Sequence, residues 1–171
     1  MKKYLLDTCV FRKLLDHFPK KGVHFETVWE QIDRGFETGE LLSVDECYNE
    51  LCHHYDENNS NYGWLKLKKP YFLGPSNDES IIIKQIFANP KMQESIHIKN
   101  ILENRPSADV YIAAKAKQID AVIVTAEKYK PNSAQLPNVC ASIDVPTMSF
   151  DDFMGEFIKY LYNVNMCYKQ V

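Results

Sequence analysis

Long apolar runs are missing from this chain. No stretch of its 171 residues approaches the roughly 20 consecutive apolar residues that a bilayer-spanning helix needs. The opening Met1-Lys2-Lys3-Tyr4-Leu5-Leu6 has the basic start of a secretion signal, but Asp7, Arg12 and Lys13 break the apolar region at once. A cytoplasmic protein with no membrane partner is therefore expected. A basic surplus is also missing: 20 Lys and Arg stand against 23 Asp and Glu, a net charge of -3. That balance argues against a broad polyanion-binding surface and turns attention to local groups such as Lys66, Lys68 and Lys69 or Lys115 and Lys117. Regularly spaced cysteines are absent too. Cys9, Cys47, Cys52, Cys140 and Cys167 are odd in number and irregular in spacing, which fits a reduced chain and not a disulfide framework. With no Cys-x-x-Cys pair, Cys47, Cys52, His53 and His54 make a poor zinc site, and the two cysteines read as core or partner-facing residues. Repeats, low-complexity tracts and linkers are lacking. At 45% hydrophobic content the chain is expected to bury one core as a single domain over residues 1–171.

What is present reads as alternating strands and helices. Tyr4-Leu5-Leu6 predicts a buried strand, and Val10, Phe11, Leu14, Leu15 and Phe18 recur at helical spacing until Pro19 and Gly22. A second helix is expected over His24 to Phe36 with Gly35 or Gly39 near its end, then a short strand at Leu41-Leu42. Ser43-Val44-Asp45-Glu46 fits a capping box, which makes Glu46 structural and sets Glu50 one turn deeper on the helix. Asp56 to Gly63 reads as a turn between helices and Ile81 to Phe87 as a helix. A helix from Ser107 carries Val110, Ile112, Ala113, Ala114 and Ala116 into the strand Ala121-Val122-Ile123-Val124, whose near-pure β-branched run suits a central parallel position. Lys128 to Asn138 reads as a long polar loop, Val145 to Met148 as a last strand, and Ser149-Phe150-Asp151-Asp152 as the start of a helix running through Tyr160.

Four carboxylates fall at strand ends or helix starts of this pattern: Asp7, Glu50, Asp109 and Glu127. Open α/β sheets place ligands at the carboxyl ends of their strands, so four such acids can converge and hold a divalent cation. Each also has a plain structural reading. Asp7 could cap the next helix, although Thr8 can do that work; Glu50 could be solvated; Asp109 suits the first turn of a helix; Glu127 could be a loop residue. Asp120 precedes its strand and belongs at the opposite edge of the sheet. Packed together without a cation, the four would include at least one acid of raised pKa.

The pattern Leu5-Leu6-Asp7-Thr8, Ser43 with Glu50-Leu51, Ala108-Asp109 with Ile112-Ala113-Ala116, and Val124-Thr125-Ala126-Glu127 resembles the PIN-domain nucleases, the group that includes VapC-like toxins of toxin–antitoxin pairs. Leu136-Pro137-Asn138-Val139-Cys140 and Ile143-Asp144-Val145-Pro146 look like a PIN subgroup catalogued mainly as a domain of unknown function. The resemblance spans Tyr4 to about Phe157. It implies a three-layer α/β/α sandwich with a central, mostly parallel sheet. It also implies Asp7, Glu50, Asp109 and Glu127 as metal-binding and catalytic acids, Mg²⁺ or Mn²⁺ as cofactor, RNA as substrate, a cognate antitoxin as partner, and a homodimer to which Tyr160 and Tyr162 could contribute. In that scheme Asp7 and Asp109 hold the principal metal, Glu50 is a ligand or orients water, and Glu127 serves a second metal or the outer shell. Thr8 and Thr125 offer hydroxyls, and Lys128, Tyr129 and Lys130 offer stacking and phosphate contacts. Two departures stand out: Cys9 replaces the usual Asn, and Glu127 replaces the more frequent Asp. A non-catalytic RNA- or protein-binding relative with a structural metal site is the alternative. A small-molecule phosphohydrolase ranks last, because Asp-x-Asp is absent after the first strand.

Overall fold

A computed structural model describes residues 2–20, 25–103 and 107–157. The chain runs β1 (Tyr4–Leu6), α1 (Thr8–His17), α2 (Glu26–Glu37), β2 (Leu41–Val44), α3 (Asp45–His54), α4 (Tyr62–Lys68), a short 3-10 turn (Lys69–Tyr71) and β3 (Phe72–Leu73). It continues through α5 (Glu79–Phe87), α6 (Pro90–Glu103), α7 (Asp109–Ile119), β4 (Val122–Thr125), α8 (Leu136–Ala141) and β5 (Thr147–Ser149), and is helical again over 150–157. The five strands form one sheet in the order β3-β2-β1-β4-β5, every neighbouring pair parallel, with Tyr4 opposite Leu41 on one side and Val122 on the other. This is the expected α/β architecture.

Strand order decides where a ligand can sit. From β1 the chain moves outward to β2 and β3, then crosses back to lay β4 on the other flank of β1 before moving on to β5. Right-handed crossovers put helices on one face for the first direction and on the opposite face for the second, giving three layers. The β1/β4 boundary is thus the switch point, with a crevice beyond its carboxyl ends. Asp7 follows β1 and Thr125 ends β4.

Burial explains the elements. All of β1 is buried, as are Val10, Phe11, Leu14 and Leu15 of α1. Phe11 stacks on Phe36 of α2 and Phe72 of β3, tying that flank together. Gly35 lies in the last turn of α2, where an added Cβ would stand 2.6 Å from Leu41 Cγ and 2.8 Å from Phe157 Cζ. Gly39, at φ +73, makes the left-handed exit from the helix.

Several sequence expectations are corrected. Ser43 caps nothing: it is a buried residue of β2 whose hydroxyl donates to the Leu6 carbonyl at 2.7 Å, and α3 starts without a side-chain cap. A hydroxyl inside a sheet must find a core acceptor, and β1 supplies it. The loop expected to Asn138 ends at Gln135, where α8 begins with Pro137 in its first turn. The last strand is Thr147–Ser149, displaced by a left-handed Asp144 and by Pro146. The helix expected from Ser107 begins at Asp109. Gly22, His24, Tyr160, Tyr162 and Cys167 lie outside the described residues. The lysine groups are largely consumed internally: Lys68 pairs with Asp33 at 2.8 Å, Lys69 with Asp45, and Lys115 is buried against Glu79 at 2.5 Å while also donating to the Gly74 carbonyl. No helix among the described residues is long and apolar enough to cross a membrane.

Candidate functional site

Asp7 occupies the N-cap position of α1, yet its side chain makes no cap bond. Its Oδ2 instead accepts from Cys9 Sγ at 2.7 Å and from Thr125 Oγ1 at 2.9 Å, and the carboxyl is 6% exposed. Because β1 ends against β4, these contacts fix one oxygen of Asp7 over the switch point. Its Oδ1 accepts no hydrogen bond among the described residues. The Cys9 thiol is itself held by the Ala126 N–H, which donates to Sγ at 3.1 Å.

Asp109 opens α7 and is 7% exposed; its N–H donates to Ser107 Oγ at 3.3 Å. Glu127, two residues beyond β4, donates its N–H to Thr125 Oγ1 at 3.1 Å, and its Oε2 accepts from the Leu136 N–H at the start of α8 at 2.8 Å. Glu50 projects from α3, where Oε2 accepts from Thr8 Oγ1 at 2.6 Å and Oε1 from the Ala108 N–H at 3.4 Å. Thr8 is therefore a partner of Glu50 and not the helix cap expected of it. Asp109 and Glu127 lie near enough to Asp7 for their charges to raise its pKa, and Glu50 is bonded to Thr8 and Ala108, the chain neighbours of Asp7 and Asp109. Among the described residues, no group of three or more acids, histidines or cysteines is placed to hold a metal ion.

Electrostatics register this crowding. Burial pushes Asp7 up from the usual 3.8 to about 7; Asp109 and Glu127 add to the rise, while the Cys9 and Thr125 donors oppose it. Burial and the Asp7 carboxylate push the Cys9 thiol up to about 12, which makes it a hydrogen-bond donor and not a nucleophile. Cys140 of α8 is fully buried and raised by burial, then by Asp109 and Asp7, so it lies beneath the same acids. Since Asp7 binds its proton more tightly folded than unfolded, its contribution to stability is complete below about pH 4 and is lost as pH rises through about 7. Chemical denaturation of the metal-free protein should show that loss between those limits, and Asp7→Asn should remove it.

Two supporting groups escape sequence reasoning, the Ser107 hydroxyl and the Leu136 N–H, and only the second had a legible signal, the Pro137 that marks the first turn of α8.

The model of a family described as a domain of unknown function, DUF4411, matches residues 4–157. The chain belongs to that family. Among solved structures, this DUF4411 chain is similar to FitAB bound to an IR36 DNA fragment, with 18% identity, 86% of this chain and 94% of the other covered, and a TM-score of 0.51. It is also similar to VapBC-1 from nontypeable Haemophilus influenzae, with 17% identity, coverage of 86% and 98%, and a TM-score of 0.50. The likeness shows that this chain shares the fold of those two structures. No curated protein matches the chain.

Proposed function

We propose that this chain is a metal-dependent endoribonuclease acting in the cytoplasm, and the toxin of a type II toxin–antitoxin pair. The observation that supports the reading is a buried Asp7 at the switch point of a PIN-like fold, its pKa pushed up to about 7 by burial and by the charges of Asp109 and Glu127. Buried carboxylates in contact are costly alone and favourable around a cation. Their hard oxygens suit Mg²⁺ or Mn²⁺. The likeness to FitAB and VapBC-1 supports a cognate antitoxin as partner.

In this reading Asp7 and Asp109 hold the principal metal, Glu50 is a further ligand or orients the attacking water, and Glu127 serves a second metal or the outer shell. A divalent cation, when bound, supplies the positive charge that offsets charge developing on the phosphate. The remaining work belongs to the chain. Thr125 and Cys9 orient Asp7 through Oδ2 and leave Oδ1 for a ligand. Thr8 fixes the Glu50 carboxylate, and the Leu136 N–H fixes that of Glu127.

Labelled single-stranded RNA incubated with the purified chain should be cut in Mn²⁺ and left intact in EDTA. Equal cutting in both overturns the metal dependence. The alternative, a non-catalytic binding protein with a structural metal site, draws on the hydrogen bonds that Glu50 and Glu127 already accept. RNA binding with no cleavage in either Mg²⁺ or Mn²⁺ would select it.

A further inference from the structure

A polar cavity of about 300 Å³ opens between the start of α6, the loop after β4, and α8. Its walls include Asn89, Lys91, Tyr129, Asn132, Ser133 and Asn138. That volume lies at the small end of the range for ligand sites, suited to a single planar ring with a few polar contacts. Tyr129 lines the cavity and is 63% exposed, so its ring is open to a ligand. Lys128 and Lys130 flank it and are exposed, and Lys91 is exposed on the opposite wall. Among the described residues these cations, unlike Lys68, Lys69 and Lys115, are not paired with a carboxylate.

The loop bearing Tyr129 is not slack. Asn138 Oδ1 accepts from the Lys130 N–H at 3.2 Å, while its Nδ2 donates to the Lys130 carbonyl at 2.8 Å, so one amide clamps the loop backbone onto α8 in both directions. Glu127, at the other end of the same segment, is tied to the Leu136 N–H. The aromatic ring is therefore presented from a pinned backbone, which lowers the ordering cost of binding. Chain geometry keeps its Cα within about 7 Å of the Glu127 Cα.

The geometry points to a nucleotide subsite: Tyr129 stacks on a base of single-stranded RNA, Asn132 and Ser133 meet the polar edge of that base, and Lys91, Lys128 and Lys130 contact the flanking phosphates. Stacking tolerates any base, and lysine contacts track the backbone, the combination that single-strand binders use. The subsite deepens the proposed ribonuclease reading and rests on it for the identity of the polymer.

Binding is to be measured in EDTA, by fluorescence anisotropy of a short fluorescein-labelled single-stranded RNA with the full chain, so that no cleavage enters the readout. Tyr129→Ala should weaken binding roughly 5- to 100-fold and Tyr129→Phe should retain it. Lys91→Ala should weaken it uniformly across RNA sequences and lower the salt dependence by about one phosphate contact. All three variants should melt at the wild-type temperature, because the altered side chains are exposed. Wild-type affinity in Tyr129→Ala overturns the subsite, whether the cavity is then a protein contact or nothing, and so does a wild-type chain that binds no single-stranded RNA. The ribonuclease reading is judged separately: Mn²⁺-dependent cutting with an indifferent Tyr129 sinks the subsite alone, and a Tyr129-dependent affinity without cutting sinks the nuclease alone.

Discussion

Asp7→Asn should lower Mn²⁺-dependent RNA cleavage by roughly 10²- to 10³-fold or more, the scale set by deleting one group that organises transition-state charge. The same substitution should make the metal-free protein more stable at pH 8. There the wild-type carboxyl is ionised inside a buried site where its pKa stands near 7, against 3.8 in the open chain, a cost on the order of a few kcal/mol. Asn keeps an oxygen to accept from Cys9 and Thr125 while removing the charge. Mn²⁺ should raise the melting temperature of the wild-type chain at pH 8, and Asp7→Asn should abolish most of that rise. Loss of activity with a gain in metal-free stability separates a functional acid from a structural one. A variant less stable than wild type at pH 8, or one still stabilised by Mn²⁺, would contradict the assignment of Asp7.

Lys115→Ala should be the most damaging substitution outside the acids, costing about 3–5 kcal/mol. Lys115 and Glu79 are 5% and 2% exposed, and the ammonium serves both the Glu79 carboxylate and the Gly74 carbonyl. Glu79 also accepts from the N–H and the hydroxyl of Ser76, at 2.8 Å each, so one ion pair locks α7 to α5 and to the turn between β3 and α5. Removing the lysine leaves a buried carboxylate facing a carbonyl. For a chain of this size the melting temperature should fall by roughly 10 °C. Lys115→Met combined with Glu79→Leu should recover most of the loss, since the double change removes both charges. Equal instability of the single and double variants would show that packing, not the orphaned charge, dominates.

Much of the architecture was legible because burial leaves its mark locally. Tyr4-Leu5-Leu6 and Val122-Ile123-Val124 are apolar runs too short for helices, and both prove to be central parallel strands. Asp7 and Asp109 could be placed because each follows or opens such an element directly. The failures are those where a residue's partner is remote in the chain. Ser43 and Glu46 have the spacing of a cap, but the Leu6 carbonyl claims the serine. Lys115 and Lys69 read as surface cations because nothing nearby announces Glu79 or Asp45. Cys9 was seen as a departure from the Asn expected there, while its donation to Asp7 depends on a rotamer that no local pattern encodes. The bonds that Glu50 accepts from Thr8 and from the Ala108 N–H likewise join segments distant in the chain, and no local pattern announces them.

The sheet's outermost members are short: β3 has two residues and β5 three. A second chain adding itself alongside either would gain only a ladder of two or three residues, too little backbone pairing to nucleate a fibre or to zip two copies together. Any partner of the described residues would therefore bind through side chains more than through added strands. Fibrillisation assays on the intact fold should accordingly stay silent even at high protein concentration.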